Sequence, residues 1–186
     1  MKKLILFAFA FVISVSLFAQ EFLGVKVDGK KSEVIQQFKQ KGFIVKGDDS
    51  KDIVTLTGNA GGKTVDLLII SSPTTQTVWK FAVYLPQRST WSSLKGEYQD
   101  FLEILSTKYG EPEKTYQFFS SPYDEGDGYE MTGVSIGKSN YISFWTEDQG
   151  ITLEINQTKQ VRIVYENGKN YEISKQEIDD LKKAAF

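Results

Sequence analysis

Between residues 76 and 86 the chain reads QTVWKFAVYLP, and its apolar positions fall on every second residue. Trp79, Phe81, Val83 and Leu85 share one side, and Val78, Lys80, Ala82 and Tyr84 the other. A period of two marks a strand with one face toward a core. Three shorter stretches of the same kind precede it: FIVKG (43–47), DIVTLTG (52–58) and KTVDLLIIS (63–71). The connectors GDDSK, NAGG and SSPTT are turn chemistry. Ahead of them, KKSEVIQQFKQKGF gathers Val34, Ile35 and Phe38 on one helical face and stops at Gly42. A helix followed by a four-stranded antiparallel meander is expected over about 25–86.

The pattern then starts again. STWSSLKGEYQDFLEILSTKYGEP places Trp91, Leu94, Tyr98, Phe101, Leu102, Leu105 and Tyr109 at spacings of three and four. Gly110 supplies a left-handed stop and Pro112 forbids continuation. The stretches KTYQFF (114–119), NYISFWTED (140–148), GITLEIN (150–156) and QVRIVYEN (160–167) read as strands. Within the last two, Ile151, Leu153 and Ile155, then Val161, Ile163 and Tyr165, alternate with mostly polar partners, as in a sheet backed by helices on one side. GYEMTGVSIGK (128–138) fits neither period and is expected to be a short helical turn or an irregular insert. The second unit therefore spans about 90–167, and the plan is a tandem repeat of an α+β unit. Ser174 and Glu177 form a capping-box spacing ahead of Ile178 and Leu181, so a closing helix is expected over 174–185.

The N-terminus changes the setting. Lys2 and Lys3 precede LILFAFAFVISVSL, an apolar run too short to span a bilayer comfortably, and Ala19 offers a small residue at a cut site. A signal peptide over 1–19 is expected, leaving a single compact domain from 20 to 186 in the periplasm or outside the cell, with no stable membrane span after cleavage. The chain has no Cys, so it carries neither disulfides nor a lipidated cysteine. Its formal charge is −2, and it becomes more acidic once Lys2 and Lys3 leave. That balance, without a basic cluster, argues against a nucleic-acid partner.

Absent residue types narrow the chemistry. With no His and no Cys, a Ser-His-Asp triad, a Cys-His pair and a His- or Cys-ligated zinc site are impossible within this chain. GNAGGKT (58–64) ends like a phosphate loop, but position 57, where that loop needs Gly, is Thr, and a strand rather than a helix follows. It reads as a hairpin turn. Asn156-Gln157-Thr158 fits a glycosylation acceptor and reads as a turn between strands.

One stretch, SSPYDEGDGYE (120–130), sets Asp124, Glu125, Asp127 and Glu130 within seven positions. Three roles compete for it. As a calcium loop it lacks EF-hand spacing, since the twelfth position from Asp124 is Ser135. As an acid pair for glycan or peptidoglycan hydrolysis, Asp127 and Glu130 with Tyr129 would need one carboxyl in an apolar pocket. As a solvated turn it needs only its Asp and Gly. The turn reading leads, with no catalytic residue, metal or cofactor expected, and with Tyr123 and Tyr129 pinning the loop or contacting a ligand.

Aromatic residues make up 13% of the chain, more than a core of this size requires at its inward positions. Trp79, Trp91, Phe101, Tyr116, Phe118, Phe144 and Trp145 fall mostly in core phase. Phe144 and Trp145 are adjacent on one strand and cannot both face inward, and Tyr84 is opposite in phase to Trp79. Exposed aromatics on a sheet are the usual material of binding hot spots. Tyr84, Phe144, Trp145, Tyr123 and Tyr129 are the candidate ligand-binding residues.

The segments GVKVDGKKSEVIQQFKQKGF, WSSLKGEYQDFLEILSTKYGEP, SPYDEGDGYE and VRIVYENGKN resemble small exported proteins of unknown function from Bacteroides-like bacteria, whose signal peptides often end in FAQ. Their plan is similar to that of the β-lactamase inhibitor protein, two tandem helix-plus-four-strand units. The resemblance implies that fold and binding rather than catalysis. That family's units are typically held by disulfides, which this chain lacks, and no inhibitory contact residue carries over. The expected function is an exported binding module whose curved sheet face receives a protein or cell-envelope ligand. The alternative is a carboxylate-dependent hydrolase.

Overall fold

The computed structural model describes residues 20–47, 50, 52–145 and 150–185. The expected leader (1–19) and the end of the expected strand at 146–148 lie outside the described residues. The described chain opens with a small hairpin, β1 (Glu21–Phe22) and β2 (Val25–Lys26). Leu23 (φ 52°) and Gly24 (φ 74°) form its two-residue turn, the left-handed pair that suits a tight hairpin. Strands of two residues carry no periodicity, so the pattern gave no sign of them.

Helix α1 (Lys31–Gln40) buries Val34, Ile35 and Phe38, and Gly42 (φ 85°) turns the chain away from it. Then come β3 (Ile44–Val45), β4 (Ile53–Ala60), β5 (Lys63–Ser71) and β6 (Val78–Tyr84). Helix α2 (Trp91–Tyr109) starts where Thr90 Oγ1 accepts from Ser93 N–H, and it ends at Gly110 (φ 84°). After it follow β7 (Lys114–Phe119), the one-turn helix α3 (Glu130–Ser135), β8 (Ser139–Trp145), β9 (Ile151–Ile155) and β10 (Val161–Glu166). The helical turn expected within 128–138 is α3.

The closing helix α4 spans Gly168–Ala185, and so begins six residues before the expected 174. Asn167 Oδ1 accepts from Asn170 N–H and caps it. Ser174 is therefore buried mid-helix, and Glu177 makes no capping box. Its carboxylate instead accepts from the Thr74 and Thr75 amides at 2.8 and 3.2 Å, fastening the helix to the turn between β5 and β6.

Strands β3 to β10 make one antiparallel sheet in the order β3-β4-β5-β6-β10-β9-β8-β7. The fold is α+β, with helices α1, α2 and α3 against one face. The register shows how that face is built. Leu67, Val83, Ile163, Leu153 and Ser143 lie in one row across five strands, and Ile69, Phe81, Tyr165, Ile151 and Trp145 in the next. All ten are buried. Phe38 of α1 meets Phe81 edge-on at 5.4 Å, and Tyr98 of α2 meets Tyr141 at 5.8 Å. Each fully buried aliphatic or aromatic side chain contributes about 1.5–3 kcal/mol. Tyr98 OH and Ser143 Oγ lie 2.7 Å apart, so the hydroxyl that burial isolates has a partner.

The alternation expected for residues 76–86 breaks at one position. Ile70 pairs with Lys80 while Ser71 pairs with Val78, so Trp79 is an extra residue in β6. Val78 is buried in its place, and Trp79 packs on Tyr171 of α4 at 5.0 Å. A second departure is Glu97, a carboxylate only 4% exposed on the buried side of α2. It accepts from Lys63 Nζ at 3.0 Å and from Arg88 Nε at 3.0 Å. Burial alone would raise its pKa; the bonds from Arg88 and Lys63 outweigh it and hold the group below the usual value. This knot ties α2 to β5 and to the linker that follows β6.

Gly58 shows how tightly the first half closes. Its α-carbon faces the ring of buried Phe43, and a β-carbon there would overlap that ring. Gly58→Ala is expected to lower stability by about 1–3 kcal/mol through overpacking, read as a fall in the urea midpoint. An unchanged midpoint would show that Phe43 is not seated against this glycine.

Candidate functional site

The sheet's second face carries none of α1, α2 or α3, and its side chains form cross-strand rows. One row runs Ile44, Thr57, Asp66, Tyr84, Arg162, Glu154, Ile142, Tyr116. The next runs Thr55, Leu68, Ala82, Val164, Thr152, Phe144, Lys114. Small, buried Ala82 and Val164 make the floor at the centre, and larger side chains rise on both sides. At the β7 side stand Tyr116, 45% exposed, Phe118, 50%, and Phe144, 37%. At the other side Ile44 and Ile53 are exposed aliphatics.

Charges on this face are paired across strands. Lys46 meets Asp66 at 2.7 Å, Lys80 meets Glu166 at 2.6 Å, and Arg162 Nη2 forms a close ion pair with Glu154. Arg162 Nη1 also donates to Tyr84 OH at 3.3 Å, and its guanidinium lies 5.7 Å from that ring. Burial would lower the pKa of Arg162, but Tyr84 and Glu154 raise it, so it stays a cation. Its Nε is buried without a hydrogen-bond partner.

Two troughs indent the face. The larger, about 960 Å³, has Lys114, Tyr116, Phe144, Thr152 and Glu166 beneath it and Tyr171 and Glu172 of α4 along one wall. The smaller, about 450 Å³, is bounded by Tyr84, Arg162, Glu154 and the Asn156–Thr158 turn. Three aromatic rings with carboxylates on the rim suit stacking with polar anchoring.

The five residues chosen from the sequence scatter. Phe144 and Tyr84 stand on the open face, at the larger and the smaller trough. Trp145, 4% exposed, turns its ring into the core, where its Nε1 donates to Gly110 C=O at 2.7 Å, although the residue borders the larger trough beside Phe144. Tyr123 is partly buried against the core beside Gly133, away from both troughs. Tyr129 is exposed at the start of α3. Sequence reasoning placed Tyr116 and Phe118 in core phase, whereas both are on the open face. The clue available was KTYQFF itself, because Phe118 and Phe119 cannot point the same way, and Phe119 is the one buried. Tyr171, Arg162 and Glu154 were not singled out, since pairing of distant segments brings them here.

The acidic stretch is turned on itself. Asp127 accepts from the amides of Asp124 at 3.0 Å and Tyr129 at 2.6 Å, and Glu130 from that of Gly126 at 2.8 Å. Glu125 accepts from Tyr141 OH at 2.6 Å and Trp91 Nε1 at 3.2 Å and forms a close ion pair with Lys95. These bonds latch the loop to α2 and β8. Comparison of the chain with protein-family models, curated proteins and solved structures returned no match.

Lys95, then Tyr141, hold the Glu125 pKa below its ordinary value. A depressed carboxylate stabilises the fold above its unfolded pKa of about 4.3, and that contribution is lost as pH falls through the folded value. The side chain is 41% exposed, which limits the effect to roughly 1 kcal/mol or less. Glu125→Gln should therefore lose less stability than wild type between about pH 6 and pH 3, measured by urea titration at each pH. Equal losses in both proteins would show that the latch does not titrate.

Proposed function

We propose that this protein is an exported, non-catalytic binding module that receives a protein or cell-envelope ligand on the open face of its sheet, in the periplasm or outside the cell. The observation that carries the reading is the strip of Tyr116, Phe118 and Phe144, half-exposed on a rigid sheet beside the trough walled by Tyr171. Rings held on strands lose little freedom on binding, and clustered aromatics supply most of the energy at interfaces. The paired charges around them, Arg162 with Glu154 and Lys80 with Glu166, give a polar rim that favours one orientation of the ligand.

We infer further that the units α1–β6 and α2–β10 are tandem copies, similar in plan to the β-lactamase inhibitor protein. In each, a helix precedes four strands, and the fourth strands, β6 and β10, meet antiparallel at the middle of the sheet. The curved surface expected of that plan is the aromatic face. Export rests on the expected signal peptide, Lys2 and Lys3 ahead of the apolar run 4–17. The carboxylate-hydrolase alternative is weaker, because Asp127 and Glu130 are occupied in bonding their own loop's amides.

A photo-reactive phenylalanine placed at Phe144 should cross-link a partner in the cells that make the protein, and the same probe at Gln36 on α1 should not. With the probe kept at position 144, Tyr116→Ala with Phe118→Ala should cut that capture at least tenfold, the scale of a hot-spot pair, while leaving the melting temperature near wild type. Equal cross-linking from both positions, or capture indifferent to the double substitution, would remove the open face as the site. Loss of a glycan-cleaving activity in Asp127→Asn would favour the hydrolase.

A further inference from the structure

The two ends of the sheet are unequal. At one, β3 has only two residues, Ile44 and Val45, a length too short to template another strand. At the other, β7 runs six residues, Lys114–Phe119, all but the last exposed. It contains no proline, no bulge interrupts its register with β8, and its only charge is Lys114 at the first position. The devices that usually protect a sheet edge are missing from its middle.

The ladder shows which backbone groups this edge presents. Ser120 N–H donates to Lys138 C=O at 2.7 Å, continuing the register in which Phe119 faces Ser139. Hydrogen-bonded pairs alternate along an antiparallel ladder, so Phe118, Tyr116 and Lys114 bond inward to β8. Thr115, Gln117 and Phe119 consequently aim their N–H and C=O groups outward, and among the described residues no turn or loop backbone group bonds to them.

We propose that β7 pairs with β7 of a second copy of this chain, antiparallel about a two-fold axis at Gln117, joining two sheets into one. The sequence of the strand is complementary to itself in this register. Gln117 faces its own counterpart, and Thr115 faces Phe119 of the second copy, each pair exchanging two N–H···O bonds through the groups left outward. On the open face Tyr116 lies across from Phe118 of the other copy, twice by symmetry, which makes two cross-strand aromatic pairs. The one charge, Lys114, meets Ser120 of the second copy, so no like charges oppose each other. A two-fold contact requires one patch to fit itself, and β7 meets that requirement where β3 does not. The pairing brings the aromatic strips of two copies side by side, and it stands independently of what those strips bind.

Sedimentation should give twice the monomer mass for the mature wild-type protein. Gln117→Pro removes one outward donor while leaving the β8 ladder intact, because this N–H makes no bond to β8. It should weaken the dimer at least tenfold. Gln117→Lys, which sets two like charges on the axis, should do the same and covers the case in which proline disturbs folding. The chain has no cysteine of its own, and a hydrogen-bonded pair sets its α-carbons about 5.5 Å apart, within disulfide range. Oxidised Gln117→Cys should therefore give a single covalent dimer, and Ile44→Cys at the other edge should give none. A wild-type protein that stays monomeric at its highest soluble concentration, a dimer indifferent to both Gln117 substitutions, or equal cross-linking from Ile44→Cys would overturn the proposal. A monomer that binds extended peptides through β7 would count in the same way.

Discussion

The pairing of β6 with β10 decides what kind of molecule this is. Five residue pairs, from Arg162 opposite Tyr84 to Glu166 opposite Lys80, join the last strand of each helix-led group. Were these strands unpaired, each group would be a four-stranded sheet with an open edge and a small core of its own. Joined, they share two rows of buried residues, in one of which Phe81 is followed directly by Tyr165 and in the other Val83 by Ile163. The antiparallel sense of the seam also fixes the sides. It aligns the two groups so that α1 and α2 pack on the same face, and their combined cores become a single layer between helices and sheet. The opposite face carries cross-strand rows of side chains, with α4 along one border.

A sheet face that α1, α2 and α3 leave uncovered must still be compatible with water, and the ion pairs there accomplish this. Arg162 with Glu154 and Lys80 with Glu166 lie directly across from each other, where opposite charges stabilise a sheet and like charges would not. Ala82 and Val164 sit between them, sheltered by their long neighbours. The charges at the centre of the face are thus paired, though Arg162 Nε stays without a hydrogen-bond partner, and the unmatched apolar surface is pushed to the flanks, aliphatic at β3 and β4 and aromatic at β7 and β8. That distribution, more than the total amount of exposed apolar area, is the reason for proposing the Tyr116–Phe144 side as the binding face.

Much of this was legible in the sequence because much of it is local. The strong period of α2, its stop at Gly110, and the alternation of β5, β9 and β10 follow from nearest-neighbour geometry, and these elements lie within a residue or two of their expected bounds. What failed depends on contacts between distant segments. Trp79 looked like a core residue until the bulge against Ser71 took it out of phase. The true cap of α4 is Asn167, whose side chain also donates to Val27 C=O, a partner 140 residues away. Two alternating faces can be read from KTYQFF, but not that β7 is an edge, and edge position is what exposes Tyr116 and Phe118. The candidate site was therefore only half readable: the placement of Phe144 and Tyr84 on the open face could be argued from phase, whereas Tyr171 and Arg162 needed the topology.

The two groups also differ where their plans are most alike. In the first, β3 and β4 are joined by a short connector, and the edge strand shrinks to two residues. In the second, β7 and β8 are separated by residues 120–138, which hold the acidic stretch and α3. Glu125 draws that insertion inward onto Trp91, Lys95 and Tyr141, over the helix-covered side. Had it folded the other way, it would have covered the aromatic strip and the outer edge of β7. The carboxylates that at first suggest a metal or an acid catalyst thus have a structural consequence: they hold a long loop away from the two surfaces on which Tyr116, Phe118 and Phe144 remain accessible.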